Sequence, residues 1–268
     1  MLARNGLQTY ATMRKIEGEG GSNQITDIAK NENLPLEVIQ LDVNDDKSVI
    51  DAINRMVREK DRIDIVVNNA GYDLAGAIEE ISMDDMRAQF ETNFFGAVKV
   101  MKAVIPIMRN QRNGKIVNIT SMGGRIAIPY HFIYHGTKFA LEGLSESIQY
   151  ELEPFGIKII LIEPGAVRSN FWKNMKPANT TKPSESADSP YSQMKIKISE
   201  SLKRTVQNAM HPSEVAKAIL EAITSDNPEF RHLEGKDVSM TVEARKNMSD
   251  REFQDLIRQQ FNLRNISS

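Results

Sequence analysis

The sequence has no cysteine among its 268 residues, which excludes both a disulfide framework and thiolate chemistry. It also lacks an apolar run long enough to span a bilayer and, at its N-terminus, the apolar core of a signal peptide. The formal net charge is only −2, so a strong electrostatic attraction to nucleic acid or to an anionic membrane is not expected. These absences predict a cytoplasmic protein that binds neither nucleic acid nor membrane.

A metal centre is not indicated either. The four histidines are the remaining soft ligands, and His131 and His135 share one helical face because they are four residues apart. No third ligand and no His-Glu-x-x-His pattern accompanies them. The sequence therefore predicts no metal site, and we interpret the two histidines as incidental neighbours of Tyr134.

What the sequence does have is a regular alternation of strand and helix patterns. Apolar, β-branched runs predict buried parallel strands at residues 7–13, 36–43, 63–68, 115–120 and 157–162. Helical periodicity predicts helices at residues 46–60, 83–112, 212–226 and 250–261, with a further helix around Tyr134. Such alternation is typical of a doubly wound parallel sheet in a Rossmann-like α/β fold.

Residues 1–268 are expected to form one domain that carries a substrate-loop insertion at about residues 170–210. Within that insertion, residues 174–189 are rich in Ser, Thr, Pro, Asn and Lys, which predicts a mobile loop. Apolar side chains flank the loop, namely Phe171, Trp172 and Met175 before it and Tyr191 and Met194 after it.

The candidate catalytic residues lie in and before the segment Tyr134-His135-Gly136-Thr137-Lys138. On a helix, Tyr134 and Lys138 lie one turn apart on the same face. Ser121 ends the strand predicted just before this helix, so a hydroxyl, a phenol and an ammonium could meet at one site for proton transfer. The alternative is an interfacial tyrosine beside a solvated lysine.

Three more patterns accompany this set: Asn68-Asn69-Ala70-Gly71 after a strand, Asn93 within a helix, and Glu163-Pro164-Gly165 at a strand end. In this order and spacing, the patterns resemble the short-chain dehydrogenase/reductase family, from about Leu7 to about Val238. The resemblance implies an NAD(P)-dependent oxidoreductase that transfers a hydride between nicotinamide and an alcohol or carbonyl carbon.

The resemblance also implies a role for each catalytic residue. Tyr134 would be the general acid/base, and Lys138 would lower the pKa of its phenol and reach the nicotinamide ribose. Ser121 would hold the substrate oxygen, and Asn93 would hold a water that links the lysine to solvent.

Cofactor positions carry over in the same way. Asp42 and Val43 match the positions that contact adenine, and Asn69 matches the one beside the adenosine ribose. Val167 would fix the carboxamide through its backbone, and Ser169 stands where the family usually has threonine. Asp42 could instead be a loop aspartate that caps the following helix.

The choice between NADP and NAD depends on the residues that end the second strand of the family fold, which matches the strand predicted here at residues 7–13. There the sequence has Arg14 and Lys15 and no carboxylate to accept ribose hydroxyls. The sequence therefore favours NADP(H) over NAD, although the two cations could simply be a solvated strand exit.

The family's first strand and its Thr-Gly-x-x-x-Gly-x-Gly phosphate loop do not occur before Leu7, so the fold is predicted with its first strand missing. That strand is central in the order 3-2-1-4-5-6, and its loss leaves two strand edges unpaired. We expect weak or no NADP(H) binding by this chain. Our hypothesis is that it is a shortened version of a longer gene product, begun at an internal methionine.

The favoured function is NADP-dependent oxidoreduction of a small, apolar alcohol or ketone, with the loop after Ser169 as a lid. Alternatively, Phe171, Trp172 and Met175 pack onto the domain or a partner. A homodimer or homotetramer is implied by the resemblance, through the helices that hold Asn93 and Tyr134. Two other functions stay open: a non-catalytic binding protein on a truncated scaffold, and isomerase or lyase chemistry.

Overall fold

A computed structural model describes residues 1–16, 22–172, 176–177 and 189–265. The main sheet has four parallel strands in the order β3-β5-β6-β8. They are β3 (Ile65–Asn68), β5 (Gly114–Ile119), β6 (Ile157–Pro164) and β8 (Arg231–Glu234). A separate parallel pair is formed by β1 (Thr9–Met13) and β2 (Leu36–Gln40), and a short pair by β4 (Leu74–Ala75) and β7 (Lys176–Pro177).

Helices alternate with these strands. They are α1 (Asn23–Asn31), α2 (Asp46–Lys60), α3 (Met83–Phe90), α4 (Gly96–Gln111), α5 (Phe132–Leu152), α6 (Ser192–Gln207), α7 (Pro212–Thr224), α8 (Lys236–Asn247) and α9 (Asp250–Gln260). A π-helical turn, Glu91–Phe95, joins α3 to α4. The predicted α/β class with parallel strands is confirmed. Within the described ranges, no helix is both long enough and apolar enough to cross a membrane.

The sequence dictates these elements locally, as α2 illustrates. The carboxylate of Asp45 accepts hydrogen bonds from the backbone amides of Lys47 and Ser48, which fixes the first turn. Val49 and Ile53, four residues apart, are buried on the inner face. The predicted bounds of this helix are confirmed.

The sheet is divided where the missing strand was expected. Among the described residues, no strand pairs with the edge of β1 that faces away from β2, or with the free edge of β3. A cleft of about 630 Å³ lies between them, lined by β1 residues such as Tyr10 and by β3 residues such as Val67. One apolar core nevertheless spans both sheets, because Ile39 of β2 and Ile116 of β5 belong to the same buried cluster.

A second apolar cluster covers the carboxyl-terminal side of the fold. Ile198 of α6 and Phe253 and Ile257 of α9 are buried there, together with Phe261. The predicted last amphipathic helix is thus confirmed as α9. Its first turn is fixed by a reciprocal pair of hydrogen bonds between Ser249 and Glu252.

Several predicted bounds need correction. β1 begins at Thr9 and β2 ends at Gln40, so Asp42 and Val43 follow the strand instead of ending it. The helical region 83–112 is interrupted by the π-helical turn. β8, α6 and α8 were not predicted. The loop at 174–189 lies almost wholly outside the described residues.

Candidate active site

A cavity of about 610 Å³ opens at the carboxyl ends of β5 and β6. In parallel α/β folds this edge of the sheet is where ligands bind, because the strand ends and the loops after them converge there. Ser121, Tyr134 and Lys138 all line the cavity. The structure therefore brings together three of the four predicted catalytic side chains.

Ser121 follows β5 in an extended conformation and caps a short 3₁₀ turn. Its hydroxyl accepts a hydrogen bond from the amide of Gly123 (3.0 Å) and donates one to the carbonyl of Pro164 (3.4 Å). These contacts hold the hydroxyl between the ends of β5 and β6, facing the cavity.

Tyr134 and Lys138 lie one turn apart on α5, as predicted. The Lys138 ammonium lies 5.6 Å from the centre of the Tyr134 ring and donates to the carbonyl oxygen of Ile119 (2.8 Å). Burial lowers the pKa of Lys138 to about 8, since a buried ammonium loses hydration. Burial also raises the pKa of the Tyr134 phenol, a hydrogen bond between this phenol and the Ser121 hydroxyl lowers it in part, and the Asp73 charge raises it further.

Asn93, the fourth predicted catalytic residue, is not among the residues that line the cavity. It is buried in the π-helical turn, where its Oδ1 accepts from the amide of Tyr72 (3.0 Å). Its Nδ2 donates to the carbonyl of Tyr72 (2.8 Å) and to the hydroxyl of Thr137 (3.2 Å). None of these bonds involves Lys138, so the side chain anchors the turn after β3 to α5.

Of the predicted cofactor residues, three line the cavity beside Tyr134: Asn69, Val167 and Ser169. The Val167 carbonyl accepts a hydrogen bond from the indole of Trp172 (2.7 Å), and the Ser169 hydroxyl accepts from the amide of Phe171 (3.3 Å). These bonds fold the segment after β6 back over the cavity.

The adenine-side residues lie apart from this cavity. Asp42 accepts a hydrogen bond from the amide of Asn44 (3.0 Å), Val43 lines the cleft between the two sheets, and Arg14 is exposed at the end of β1. Asn69 lines both the cleft and the cavity and so connects the two. The residues that line the cavity fit the nicotinamide end of a dinucleotide.

The apolar flanks of the predicted lid divide into two groups. The Phe171 ring packs edge-on against Tyr134 (5.6 Å between ring centres), and Trp172 packs against Phe171 (5.7 Å). Tyr191 and Met194 instead pack onto the second apolar cluster. Met175 lies outside the described residues.

Comparison with known proteins agrees with this geometry. The family described as short chain dehydrogenase matches residues 1–180. The chain is 35% identical over 232 residues to a 3-ketodihydrosphingosine reductase of Bacteroides thetaiotaomicron, covering 86% of this chain and 80% of the relative. It is 36% identical over 232 residues to retinol dehydrogenase 8 of Bos taurus, covering 85% and 72%. This chain belongs to the short-chain dehydrogenase/reductase family.

A solved structure supports the same assignment. The structure described as ElxO with NADP bound has a TM-score of 0.67 and 28% identity, and the match covers 87% of this chain and 88% of that one. As a short-chain dehydrogenase/reductase, the protein is an NAD(P)-dependent oxidoreductase that acts on CH–OH and C=O groups.

Two histidines of this short-chain dehydrogenase/reductase are not incidental, which corrects the interpretation from sequence. His135 donates from Nδ1 to the carbonyl of Gly123 (2.9 Å) and accepts at Nε2 from the amide of Ile128 (3.1 Å). Burial lowers its pKa, so the neutral ring holds the loop after Ser121. His131 is buried against Asp73, with 2.6 Å between Nδ1 and Oδ2.

A buried ion network supports the end of β6. Glu163 has no exposed surface and pairs with Arg125 (3.1 Å) and Arg231 (3.2 Å), and Arg231 also pairs with Glu142 (3.2 Å). Burial raises the pKa of Glu163 to about 7, although both arginines oppose this shift. Sequence analysis singled out Glu163 only as part of a strand end, because its partners are distant in sequence.

Proposed function

We propose that the chain catalyses NADP(H)-dependent hydride transfer between nicotinamide and a ketone or secondary alcohol in a small, mainly apolar substrate. The observation that carries the proposal is the convergence of Ser121, Tyr134 and Lys138 on one cavity at the carboxyl ends of β5 and β6. A hydroxyl that binds the substrate oxygen, a phenol that exchanges its proton and a cation near the phenol suit this reaction.

In the reducing direction, Ser121 donates a hydrogen bond to the substrate carbonyl oxygen and holds its carbon in place. Tyr134 then gives that oxygen a proton, and the carbonyl becomes an alcohol. A cofactor held by Asn69, Val167 and Ser169 would supply the hydride. Lys138 stabilises the phenolate that Tyr134 leaves, because an ammonium at this distance attracts the developing negative charge.

The cavity wall favours an apolar substrate. It includes several aliphatic side chains: Ile126, Ile128, Leu202, Val215 and Ile219. Apolar side chains around a few polar groups bind the body of a ligand through burial, whereas the polar groups orient it. The names of two relatives, 3-ketodihydrosphingosine reductase and retinol dehydrogenase 8, support the same substrate class.

The preference for NADP(H) is proposed from the end of β1. Arg14 is exposed there, followed by Lys15, and the described residues at this strand end, 12–16, include no carboxylate. A cation can pair with a 2′-phosphate, whereas a carboxylate would repel it. The NADP bound in the ElxO structure is consistent with this choice.

The test is turnover of apolar ketones, followed by the absorbance of NADPH or NADH. We expect turnover with NADPH in preference to NADH, and an Arg14→Glu variant should reverse that preference. Arg58, also a cation but located on α2, provides a matched control, and Arg58→Glu should leave it unchanged. Equal use of both cofactors by the wild type and Arg14→Glu would contradict the NADP assignment.

We also propose a homodimer or homotetramer formed through α4 and α5. Phe139 and Tyr150 are exposed on α5 although both are large and aromatic, and Phe95 is exposed just before α4. Such a surface fits a second copy of the chain. Phe139→Lys should shift the mass measured by sedimentation towards the monomer, whereas an unchanged mass would contradict this interface.

A specific observation favours a second function, a non-catalytic binding protein. Among the described residues, the cleft between β1 and β3 leaves an unpaired edge on each strand and reduces support for the cofactor's pyrophosphate. A folded chain that binds apolar ketones but oxidises neither NADPH nor NADH would favour this alternative. Turnover that depends on Tyr134 would exclude it.

A further inference from the structure

Asp73 and His131 form a buried polar pair that the proposed reaction does not use. Asp73 precedes β4, and His131 is the residue just before the first turn of α5. Only 2% of Asp73 and 3% of His131 is exposed, and their Oδ2 and Nδ1 atoms lie 2.6 Å apart. The pair was invisible to sequence analysis because its members are 58 residues apart.

Each member of the pair keeps one buried polar atom without a hydrogen-bond partner. These atoms are Oδ1 of Asp73 and Nε2 of His131, and no other described group bonds to either of them. Buried polar atoms are normally paired, because leaving one unpaired forfeits the hydration it had in water. A ligand that satisfied either atom would therefore gain binding energy.

The chemistry of the pair specifies what that ligand must offer. A carboxylate only accepts hydrogen bonds, so Nδ1 of His131 donates to Asp73. When the ring carries its proton on Nδ1 alone, Nε2 is an acceptor, as is the free carboxylate oxygen of Asp73. A hydroxyl group has one proton to donate and would satisfy one of these acceptors.

The pair lines the same cavity as the catalytic residues. His131 lies three residues before Tyr134 at the start of α5, and Asp73 is close enough for its charge to act on the Tyr134 phenol. The wall nearby is aliphatic, with Ile126 and Ile128. A polar pair in such a wall discriminates between ligands that satisfy it and ligands that do not.

We propose that Asp73 and His131 bind a hydroxyl group which the substrate carries close to its reacting carbon. The pair thereby selects hydroxy ketones, or the corresponding diols, over simple ketones. This inference rests on the proposed function for the identity of the cavity as the substrate site.

Two other uses of the pair are less consistent with the structure. Within the described part of the chain, no group of three or more His, Cys, Asp or Glu side chains could hold a metal ion. A purely structural role is illustrated by the neighbouring His135, whose two ring nitrogens both have backbone partners. His131 differs because its second nitrogen has none.

The first test compares two probes, hydroxymethyl octyl ketone and methyl octyl ketone, in turnover with NADPH. We expect the wild type to prefer the hydroxylated probe in kcat/KM by roughly tenfold or more, since a site built for a hydroxyl rejects the analogue that lacks it. His131→Phe should remove the preference, and His131→Gln, which keeps polar atoms, should restore part of it. His232→Gln serves as the matched control, because His232 bonds to the Glu229 carbonyl beside β8 and should leave the preference intact.

The second test needs no turnover and uses the wild-type chain. With nitrogen-labelled histidine, four imidazole groups contribute to the NMR spectrum, and His131→Gln identifies the signal of His131. The Nε2 signal of His131 should shift with hydroxymethyl octyl ketone and not with methyl octyl ketone, whereas that of His232 should not move.

The outcomes separate the inference from the proposed function. A selective NMR shift without turnover of either probe would support the hydroxyl site and count against the proposed reaction. Turnover of both ketones at equal rates, with no shift at His131, would overturn the hydroxyl site and leave the reaction standing.

Discussion

The ammonium of Lys138 lies 5.6 Å from the centre of the Tyr134 ring and donates a hydrogen bond to the carbonyl of Ile119. Burial raises the pKa of the Tyr134 phenol, and burial lowers the pKa of the Lys138 ammonium to about 8. The site thus holds a protonated phenol beside a cation that is poorly hydrated. This arrangement suits proton donation to a carbonyl oxygen.

Replacing Tyr134 by phenylalanine removes the proton donor and little else. Turnover should fall by about 10²–10⁴-fold, the usual contribution of a general acid/base. The matched control is Tyr150→Phe, since Tyr150 is on the same helix and 67% exposed. The measurement is kcat/KM with NADPH and a ketone, with circular dichroism to verify folding, and equal activity of the two variants would contradict the role of Tyr134.

The buried ammonium of Lys138 predicts a pH dependence of stability. Its pKa in the folded chain is about 8, below the ordinary value of 10.5. Between these pH values the unfolded chain retains a proton that the folded chain has released. The contribution of Lys138 to the free energy of unfolding therefore rises with pH across this window.

A Lys138→Met variant makes this effect measurable by urea unfolding at several pH values. The free energy of unfolding of the wild type, minus that of Lys138→Met, should increase by roughly 1–3 kcal/mol from pH 8 to 10.5. The exposed Lys102, replaced in the same way, should show no such trend. A difference for Lys138→Met that stays constant with pH would argue against its lowered pKa.

The cleft between β1 and β3 predicts uneven hydrogen exchange across the sheets. Strand edges without a neighbour leave amides unprotected, whereas β5 and β6 each lie between two strands. Peptides that cover Thr9–Met13 and Ile65–Asn68 should exchange sooner than peptides from β5 and β6. Equal protection of all four strands in exchange mass spectrometry would show that the edges of the cleft are covered in solution.

Helices and strands whose sequence pattern is local could be predicted. The bounds of α2 were predicted correctly because Asp45 caps it and an apolar stripe defines its buried face. β8 was missed because Arg231, His232 and Glu234 hide any apolar pattern. Its place at the edge of the sheet can be explained only once Arg231 is seen to pair with Glu163 on the neighbouring strand.

The same contrast between local and long-range signals applies to the residues of the candidate active site. Tyr134, Lys138 and Ser121 follow a compact spacing, so their position around one cavity could be predicted, whereas the Asp73–His131 pair is formed only by the fold. The position of the Asn93 side chain could not be predicted from sequence, because it bonds to the backbone amide and carbonyl of Tyr72, which lies 21 residues away.

Two glycines predict opposite effects on stability when replaced by alanine. Gly143 lies within α5, and a Cβ there would meet nothing within 4 Å, so Gly143→Ala should raise the free energy of unfolding by about 1 kcal/mol. Gly156 has φ of +74°, and a Cβ would lie 2.4 Å from the Arg112 carbonyl oxygen. Gly156→Ala should therefore lower the free energy of unfolding by about 1–3 kcal/mol. Thermal unfolding of the two variants and the wild type tests both predictions.

We propose that this cavity binds the nicotinamide end of NADP(H), and that a strand filling the cleft between β1 and β3, followed by a glycine-rich loop, would strengthen binding through the pyrophosphate. The most direct measurement is a fluorescence titration of NADPH and NADH against two proteins. One is the chain itself, and the other carries an added N-terminal strand and glycine-rich loop of roughly twenty residues. We predict weak but measurable binding of NADPH by the chain, sufficient for turnover at high cofactor concentration, and tighter binding of NADPH by the extended protein, whereas a folded extended protein that binds neither cofactor would contradict the account.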